Sequence, residues 1–180
     1  MKIYFISDYH YGHTNIAGPK ISKWKKGYRD FDSVHQMNKA IIESTNDTVK
    51  EKDLLIYQGD WSFGPESNIT ELRNSLVVKN IIMIWGNHDE TVRKYYKHLF
   101  TECHELLHRK LEGINFVMCH YPIARWNRRH HGSIHTYGHE HHNYDNGDGS
   151  IDVGWCKWRK PLELSEVISL VKPVKEGRHD

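Results

Sequence analysis

Cysteine is scarce in this sequence, and no apolar run is long. The chain of 180 residues has three cysteines, Cys103, Cys119 and Cys156, and none of them forms a Cys-x-x-Cys pair. An odd number of cysteines cannot pair completely, so we expect reduced thiols and a cytoplasmic protein. The longest strictly apolar run, residues 81–85, is far shorter than the roughly 20 residues of a membrane-spanning helix. These absences argue against a disulfide-stabilised secreted protein and against a membrane protein.

Net charge is also small, because 25 lysines and arginines are balanced by 23 aspartates and glutamates, which leaves a formal charge of +2. So small an excess does not define a partner, and tight sequence-independent binding of nucleic acid is not strongly indicated. The hydrophobic fraction of 38% indicates a rather polar globular protein. A chain of this length can bury one sizeable core, so we expect a single domain over residues 1–180.

Histidine, in contrast, is abundant, with 15 residues in the chain. Packing gives no reason for so many imidazoles in one domain. Imidazole is the most frequent metal ligand in proteins and the usual acid or base near neutral pH. The composition therefore favours metal-dependent or phosphate chemistry.

Strand and helix patterns alternate along the first half of the chain. Apolar runs predict strands, and helical spacing predicts helices, the first of them with Asp32 as its N-cap. The expected order is strand 2–7, helix 32 to about 49, strand 54–58, helix 66–76, strand 80–85 and a short helix from 90 to about 99. This alternation is typical of an α/β fold with parallel strands, whose sites form at the carboxyl ends of the strands.

The second half is richer in β structure. Residues 106–111 and 114–119 predict a hairpin, because Glu112 and Gly113 between them suit a tight turn. We expect, in order, strands at 134–137 and 150–153, a closing helix at 162–171 and a loose polar tail from Lys175.

Five short polar groups each follow or end one of these strands. They are Asp8-x-His10, Gly59-Asp60, Gly86-Asn87-His88-Asp89, His120 and Gly138-His139-Glu140-His141. Together they offer carboxylate, amide and imidazole without thiolate, a set that suits manganese, iron, zinc, cobalt or nickel. A two-metal hydrolytic site needs such ligands, with a carboxylate between ions about 3.5 to 4 Å apart. The glycines let the chain turn sharply beside the ligands.

Each group also has a plainer interpretation when it is taken alone. Asp60 could cap the helix that follows it. One of His139 and His141 could be a core histidine with satisfied hydrogen bonds. His88 could be a structural histidine bonded to Asp89. The occurrence of all five groups in one chain argues against these alternatives.

A competing motif lies at His104-Glu105-Leu106-Leu107-His108, which matches the His-Glu-x-x-His pattern of zinc proteases. That chemistry needs both histidines on one helix and a third ligand downstream. No clear third ligand follows, and the hairpin expected over 106–119 is incompatible with a helix. We therefore expect His104 and His108 to be surface or edge-strand residues.

In this order the five groups resemble the motifs of the calcineurin-like metallophosphoesterases. The resemblance runs from Asp8 to His141 and so covers most of the chain. Further stretches are similar to those of small bacterial and phage members without a cap domain: Cys119-His120-Tyr121-Pro122, Trp126, Gly132-Ser133 and Asp152-Val153-Gly154-Trp155. The resemblance implies an α/β fold in which two mixed β-sheets pack as a sandwich with helices on the outside.

The resemblance also implies roles for individual residues. The first metal would be held by Asp8, His10 and His141, the second by Asn87, His120 and His139, with Asp60 bridging both. A bridging water or hydroxide would attack phosphorus. His88 would protonate the leaving group or stabilise charge on the phosphate oxygens, and Asp89 would orient His88. The departures from the family pattern are Ser7 before Asp8, Tyr11 after His10, and Asp152.

Two basic and aromatic stretches, residues 23–29 and 125–131, are expected to emerge near the metals. Arg125 could bind phosphate oxygens, and Trp126 could stack on a base. Trp24 or Tyr28 could do the same from the first stretch. Either stretch could instead be a solvated loop.

These features favour a metallophosphoesterase with two divalent ions, manganese foremost, that acts on a small phosphoester or nucleotide. A phosphodiester is preferred, because no segment is large enough for a cap domain and the flanking loops are basic. One alternative is a phosphomonoesterase that uses the same site. Another is a non-catalytic scaffold, as in the family's retromer subunit, which the retention of every ligand and of His88 disfavours.

Overall fold

The computed structural model describes residues 1–174, so the tail expected from Lys175 lies outside the described residues. The strands are β1 (Ile3–Ile6), β2 (Leu54–Gln58), β3 (Asn80–Ile84), β4 (Glu102–His104), β5 (Leu106–Leu111), β6 (Ile114–Cys119), β7 (Ile134–Tyr137), β8 (Ser150–Asp152) and β9 (Leu162–Glu163). The α-helices are α1 (Thr14–Ala17), α2 (Val34–Thr48), α3 (Ser67–Ser75), α4 (Glu90–Tyr95), α5 (Trp155–Trp158) and α6 (Leu164–Leu170). Within residues 1–174, no helix has both the length and the apolar character needed to span a bilayer.

The first sheet has the strand order β4-β3-β2-β1-β9. Strands β1 to β4 run parallel, as the alternation of strands and helices predicts, with Ile3 opposite Leu54 and Leu54 opposite Asn80. Strand β9 runs antiparallel to β1 and places Leu162 opposite Phe5. The sheet is therefore mixed, and its parallel strands all end at the same edge.

Alternate residues of the central strands belong to two separate cores. Ile6 of β1 packs in one core with Met37 and Ile41, which lie four residues apart on one face of α2. Phe5 belongs to the other core and stacks on Phe116 of β6, with ring centroids 5.6 Å apart. Because both faces of the sheet are covered, these strands are apolar at nearly every position.

The second sheet has the order β5-β6-β7-β8 and faces the first across the core around Phe5. β5 and β6 form the expected antiparallel hairpin, in which Leu111 pairs with Ile114. The two turn residues between them, Glu112 and Gly113, have φ angles of 45° and 85°. β7 and β8 continue parallel to β6. The expected fold of two mixed sheets packed together with outer helices is confirmed.

The start of α2 differs from the sequence-based expectation by one residue. Ser33, rather than Asp32, is the N-cap, because its side chain accepts a hydrogen bond of 3.1 Å from the backbone N–H of Gln36. Gln36 reaches back and accepts from the backbone N–H of Asp32 at 2.9 Å. The side chains of Ser33 and Gln36 thus each accept one backbone N–H at the start of α2, in a variant of the capping box. The residue types alone do not distinguish this arrangement from a cap by Asp32.

Other short elements were missed or extended in the sequence-based assignment. The closing helix starts at Leu164, because Leu162 and Glu163 pair with β1 as β9.

The zinc-protease hypothesis is wrong, since His104 lies in β4 of the first sheet and His108 lies in β5 of the second. The two imidazoles therefore cannot share a helix face.

Candidate metal centre

All five polar groups lie directly after strands whose carboxyl ends meet at one edge of the two sheets. Asp8 follows β1, Asp60 follows β2, and residues 86–89 follow β3. His120 follows β6, and the group 138–141 follows β7. Strands β1 to β3 and β6 to β8 run parallel within their own sheets, and the packing of the two sheets brings residues that are more than 130 positions apart in the chain to the same place.

Three ligand-type side chains converge in the first half of this cluster. The Nε2 atoms of His10 and His141 each lie 3.8 Å from Oδ1 of Asp8 and 3.2 Å from one another. Asp8 and His10 are buried, and His141 is partly buried. These three donor atoms lie within 4.8 Å of one another, which is close enough for all of them to bind a single ion.

Asp60 lies between this group and a second one. Its Oδ2 atom is 3.4 Å from Nε2 of His10 and 3.5 Å from Nε2 of His120. Oδ1 of Asn87 lies 3.1 Å from Nε2 of His120 and 3.0 Å from Nδ1 of His139. The structure thus brings together all seven residues that the sequence suggests as ligands, with Asp60 in the middle.

The charge and polarity of the cluster fit divalent cations. Two buried carboxylates, Asp8 and Asp60, face imidazole nitrogens rather than lysine or arginine side chains. Burial raises the pKa of Asp60, to which the nearby Asp8 contributes, although His120 opposes the shift. Burial, together with His141 and Arg29, lowers the pKa of His10 well below 6.5, so its imidazole is neutral and able to coordinate. Oxygen and imidazole nitrogen ligands without thiolate suit manganese, iron or zinc.

The backbone at these positions adopts an unusual conformation. Five of the seven residues have positive φ angles without being glycine: Asp8 (58°), His10 (47°), Asp60 (62°), His139 (71°) and His141 (49°). Each such residue costs about 1–3 kcal/mol and persists only where the surrounding structure holds it. Here the N–H of Asp8 donates to Gly59 O at 2.9 Å, and the N–H of His10 donates to Asp60 O at 3.0 Å. Strain concentrated at one cluster indicates a functional site.

Two glycines allow the close packing of this cluster. A Cβ atom at Gly138 would collide with the side chains of Ser7 and Asp8, and one at Gly59 would collide with the ring of His120. The hydroxyl of Ser7 donates a hydrogen bond of 2.6 Å to Oδ2 of Asp8. Serine at position 7, a departure from the usual family pattern, therefore helps to orient the carboxylate.

Asp89 does not have the contacts expected of it. Its carboxylate accepts three backbone hydrogen bonds, from Asp60 N–H at 2.8 Å, Trp61 N–H at 2.9 Å and Gly86 N–H at 2.8 Å. These bonds turn the carboxylate toward the peptide groups beside the cluster rather than toward the imidazole of His88. Asp89 therefore fastens the loop after β2 to the loop after β3, and the predicted role of orienting His88 is not supported.

Replacing Asp89 by asparagine is expected to destabilise the protein although the volume is unchanged. One carboxylate oxygen would become an NH₂ group that faces a backbone N–H, so a buried donor would lose its acceptor. We expect a cost of about 1–3 kcal/mol and a melting temperature lower by roughly 5 °C, measured by calorimetry. Asp32→Asn, on the surface, is the matched control. An unchanged melting temperature in Asp89→Asn would contradict the assigned contacts.

Two residues behind the cluster were not identified as part of the site from the sequence. Arg29 is buried, and its guanidinium donates to Asp8 O at 2.6 Å and to Tyr9 O at 2.8 Å. It therefore supports the strained loop, although the stretch 23–29 was expected to face substrate. Cys156, at the start of α5, places its Sγ atom 3.0 Å from Nδ1 of His141. No local motif indicates either contact, because both partners are distant in the chain.

The segment that carries His141 is fixed at its end by Asp152. The backbone N–H of His142 donates to Oδ2 of Asp152 at 2.9 Å, and the N–H of Gly154 donates to Oδ1 at 2.7 Å. The carboxylate at position 152, another departure from the usual family pattern, therefore joins the loop after β7 to the end of β8.

The substrate contact expected of Trp126 is not possible in the structure. Trp126 is only 6% exposed, and its indole N–H donates to Ser133 O at 3.0 Å, so it cannot stack on a base. It packs on His135 of β7 and serves the fold of its own loop. Arg125 is exposed in the same loop. The exposed aromatic rings in contact with residues of the cluster or their neighbours are Trp24, Phe63 and Tyr121.

Comparisons with known proteins agree with this geometry. The chain matches the Calcineurin-like phosphoesterase superfamily domain over residues 1–154. It is 31% identical over 177 residues to the uncharacterized protein MJ1445 of Methanocaldococcus jannaschii, covering 96% of this chain and 86% of that protein. The crystal structure of AQ665 from Aquifex aeolicus, a protein of unknown function, aligns with a TM-score of 0.68 at 19% identity, covering 94% of this chain and 99% of AQ665. A structure of an archaeal phosphodiesterase aligns with a TM-score of 0.48 at 19% identity, covering 91% and 99%. The chain belongs to the calcineurin-like phosphoesterase superfamily.

Proposed function

We propose that the protein is a phosphodiesterase with a dinuclear metal centre. The first ion would bind to Asp8, His10 and His141, and the second to Asn87, His120 and His139. Asp60 would bridge them. The observation that carries this proposal is the position of Oδ2 of Asp60, which is 3.4 Å from the imidazole of His10 and 3.5 Å from that of His120. A carboxylate held between two imidazoles of different groups has the position of a bridging ligand.

Bound metals would supply Lewis acidity toward the phosphate and would lower the pKa of a shared water. The chain's own residues would hold and orient the reacting groups. His88 is exposed, and its ring centroid lies 5.5 Å from that of His10. Its backbone N–H, at 3.0 Å from Oδ1 of Asp60, fixes the residue beside the cluster and leaves the imidazole available. From this position His88 would donate a proton to the leaving oxygen.

The open shape of the site supports a diester over a monoester. Within residues 1–174, the loops around the cluster contain no inserted domain that would cover it. An open site leaves room for a substituent on each side of the phosphorus. Exposed cationic residues, among them Lys23, Lys25 and Arg125, lie in the flanking loops and suit an anionic substrate. Manganese is the preferred metal because the ligand set combines carboxylate, amide oxygen and imidazole.

Cleavage of bis-p-nitrophenyl phosphate tests the proposal. We expect hydrolysis that manganese stimulates and a chelator abolishes, with a higher kcat/KM than for p-nitrophenyl phosphate. Preference for the monoester would identify a phosphomonoesterase instead. Failure to cleave either ester with manganese, zinc, cobalt, nickel or iron would contradict a catalytic role and favour a scaffold.

Replacing Cys156 by alanine is expected to weaken metal binding at the first ion. The sulfur lies against Nδ1 of His141, and a partner at that nitrogen selects the tautomer whose Nε2 faces the cluster. We expect manganese affinity to fall about tenfold, measured by calorimetry, and Cys156→Ser to recover most of the loss. Cys103→Ala, on β4, is the control. Equal affinity in Cys156→Ala and the unmodified protein would contradict the role.

A further inference from the structure

One exposed aromatic ring, that of Phe63, lies beside the proposed catalytic His88, and a second, that of Trp24, lies beyond it against His13. Phe63 is 40% exposed and Trp24 is 45% exposed. Both contact His13, which is itself buried: the ring of Phe63 lies 4.0 Å from the His13 ring, and the ring of Trp24 lies 5.3 Å from it. We call Trp24, His13 and Phe63 the aromatic wall.

The aromatic wall is continuous with the reacting centre. The ring of Phe63 lies 5.4 Å from that of His88, and His13 lies 5.8 Å from His10. A group bonded to a phosphate held at the cluster would therefore extend along this wall. On the other side of the cluster, Tyr121 lies 5.0 Å from His120 and has no second exposed ring beside it among the described aromatic contacts.

Phe63 is held in place although its ring is exposed. Its backbone N–H donates to Tyr11 O at 2.8 Å, and its carbonyl accepts a bond of 2.7 Å from the side-chain amide of Asn68. Tyr11 directly follows His10, so Phe63 is attached to the loop that carries a proposed ligand. An apolar ring fixed in solvent beside a site loses little entropy when a ligand stacks on it.

Hydrogen bonds also hold the backbone at Trp24, and lysines flank this residue in the chain. The backbone N–H of Lys23 donates to the side chain of Asn15 at 3.1 Å, and the N–H of Trp24 donates to Oγ of Ser22 at 3.0 Å. Lys23 and Lys25, on either side of Trp24 in the chain, are exposed. Aromatic faces that alternate with lysines are typical of surfaces that bind nucleotides through base stacking and phosphate contacts.

We propose that the aromatic wall stacks on the base of a nucleoside phosphodiester whose phosphate lies at the metal cluster. The inference rests on the proposed phosphodiesterase function and assigns its substrate class. A planar base is favoured over an alkyl group, because the wall consists of flat rings, and stacking of two π systems adds to the burial of apolar area. Phe63 and Trp24 are thus the specificity-determining residues of the site.

Two esters with the same leaving group test this assignment on the full chain with manganese. Thymidine 5′-(p-nitrophenyl phosphate) carries a nucleoside, and ethyl p-nitrophenyl phosphate does not, so the ratio of their kcat/KM values measures the contribution of the nucleoside. The change of that ratio in a variant without the ring measures the part that depends on stacking. We expect the protein to favour the thymidine ester at least tenfold. Phe63→Leu, which keeps an apolar side chain but removes the ring, should lower that ratio by about tenfold, and Phe63→Tyr should restore it.

The controls separate a specific wall from a generally apolar surface. Tyr95→Leu removes a ring that is 57% exposed on α4 and should leave the ratio unchanged. Trp24→Leu should lower the ratio as Phe63→Leu does. An identical ratio in Phe63→Leu and the unmodified protein would overturn the inference. So would a preference for hexyl p-nitrophenyl phosphate as strong as that for the thymidine ester.

A binding measurement distinguishes failure of the wall from failure of the proposed function. Calorimetry on the manganese-loaded protein would compare thymidine 5′-monophosphate with ribose 5-phosphate, which lacks the base. One outcome is that neither ester is cleaved, the nucleotide binds at least about tenfold more tightly than ribose 5-phosphate, and Phe63→Leu removes this difference. That outcome would support base stacking on the aromatic wall and contradict the diesterase proposal. If both esters are cleaved and the two phosphates bind equally, the wall is refuted and the diesterase proposal stands.

Discussion

Replacing Asp60 by asparagine is expected to abolish phosphoesterase activity, with a loss of at least about a thousandfold in kcat/KM. The amide has nearly the same shape, and its oxygen can still accept the bond of 3.0 Å from the backbone N–H of His88. What disappears is the negative charge at Oδ2, the atom that lies between His10 and His120. Without it, the two proposed ions would lose their common ligand, so metal and activity should be lost together.

Metal analysis and melting curves provide the readouts for Asp60→Asn. The purified variant should carry less than half of the manganese found in the unmodified protein, and added manganese should no longer raise its melting temperature. In chelator the variant should melt at the same temperature or higher, because burial raises the pKa of Asp60 and so disfavours its charged form. Asp47→Asn on α2 is the control. A variant that retains both ions and full activity would refute the bridging role.

Replacing His88 by alanine is expected to leave both ions bound and to lower kcat by about 10² to 10⁴. His88 is bonded to the carboxylate of Asp60, a proposed ligand, through its backbone N–H, which alanine keeps. The exposed imidazole is the group that is lost. Its removal should therefore affect the chemical step and leave the metal cluster intact.

Leaving-group dependence shows what the imidazole of His88 does. A proton donor matters most when the leaving oxygen is basic, so the loss should be larger for a dinucleotide than for bis-p-nitrophenyl phosphate. An equal loss for both substrates would instead indicate stabilisation of charge on the phosphate oxygens. His35→Ala, an exposed histidine on α2, is the control. Loss of metal from His88→Ala would contradict its placement outside the ligand set.

Much of the fold follows from local patterns in the chain. The apolar runs of β1, β2 and β3 predict strands that are buried on both faces, and the hairpin at Glu112 and Gly113 follows from its turn residues. The alternation with helices predicts parallel strands. Two short strands could not be predicted, because β4 and β9 have three and two residues and exist only through pairing with a neighbouring strand.

The composition of the candidate site was also predictable, because its residues follow strand ends. Parallel strands must bring their carboxyl ends to one edge, so Asp8, Asp60 and Asn87 could be expected to meet there. His120 follows β6 of the second sheet and reaches the same place only because the two sheets pack together. The direction in which a loop side chain points could not be predicted in this way. Asp89 turns to three backbone N–H groups, and Arg29 turns inward to the carbonyls of Asp8 and Tyr9.

By itself, the sequence determined the longer strands, the parallel direction of β1 to β3 and the set of residues that follow the strand ends, because periodicity and turn chemistry act over a few residues. Only the tertiary structure decided that Trp126 is buried, that Phe63 is exposed beside His88, and that Cys156 lies against His141. These contacts join segments distant in the chain, and they depend on loops held at positive φ by the packing around them. Local preference disfavours such conformations, so they arise only once the whole fold is formed.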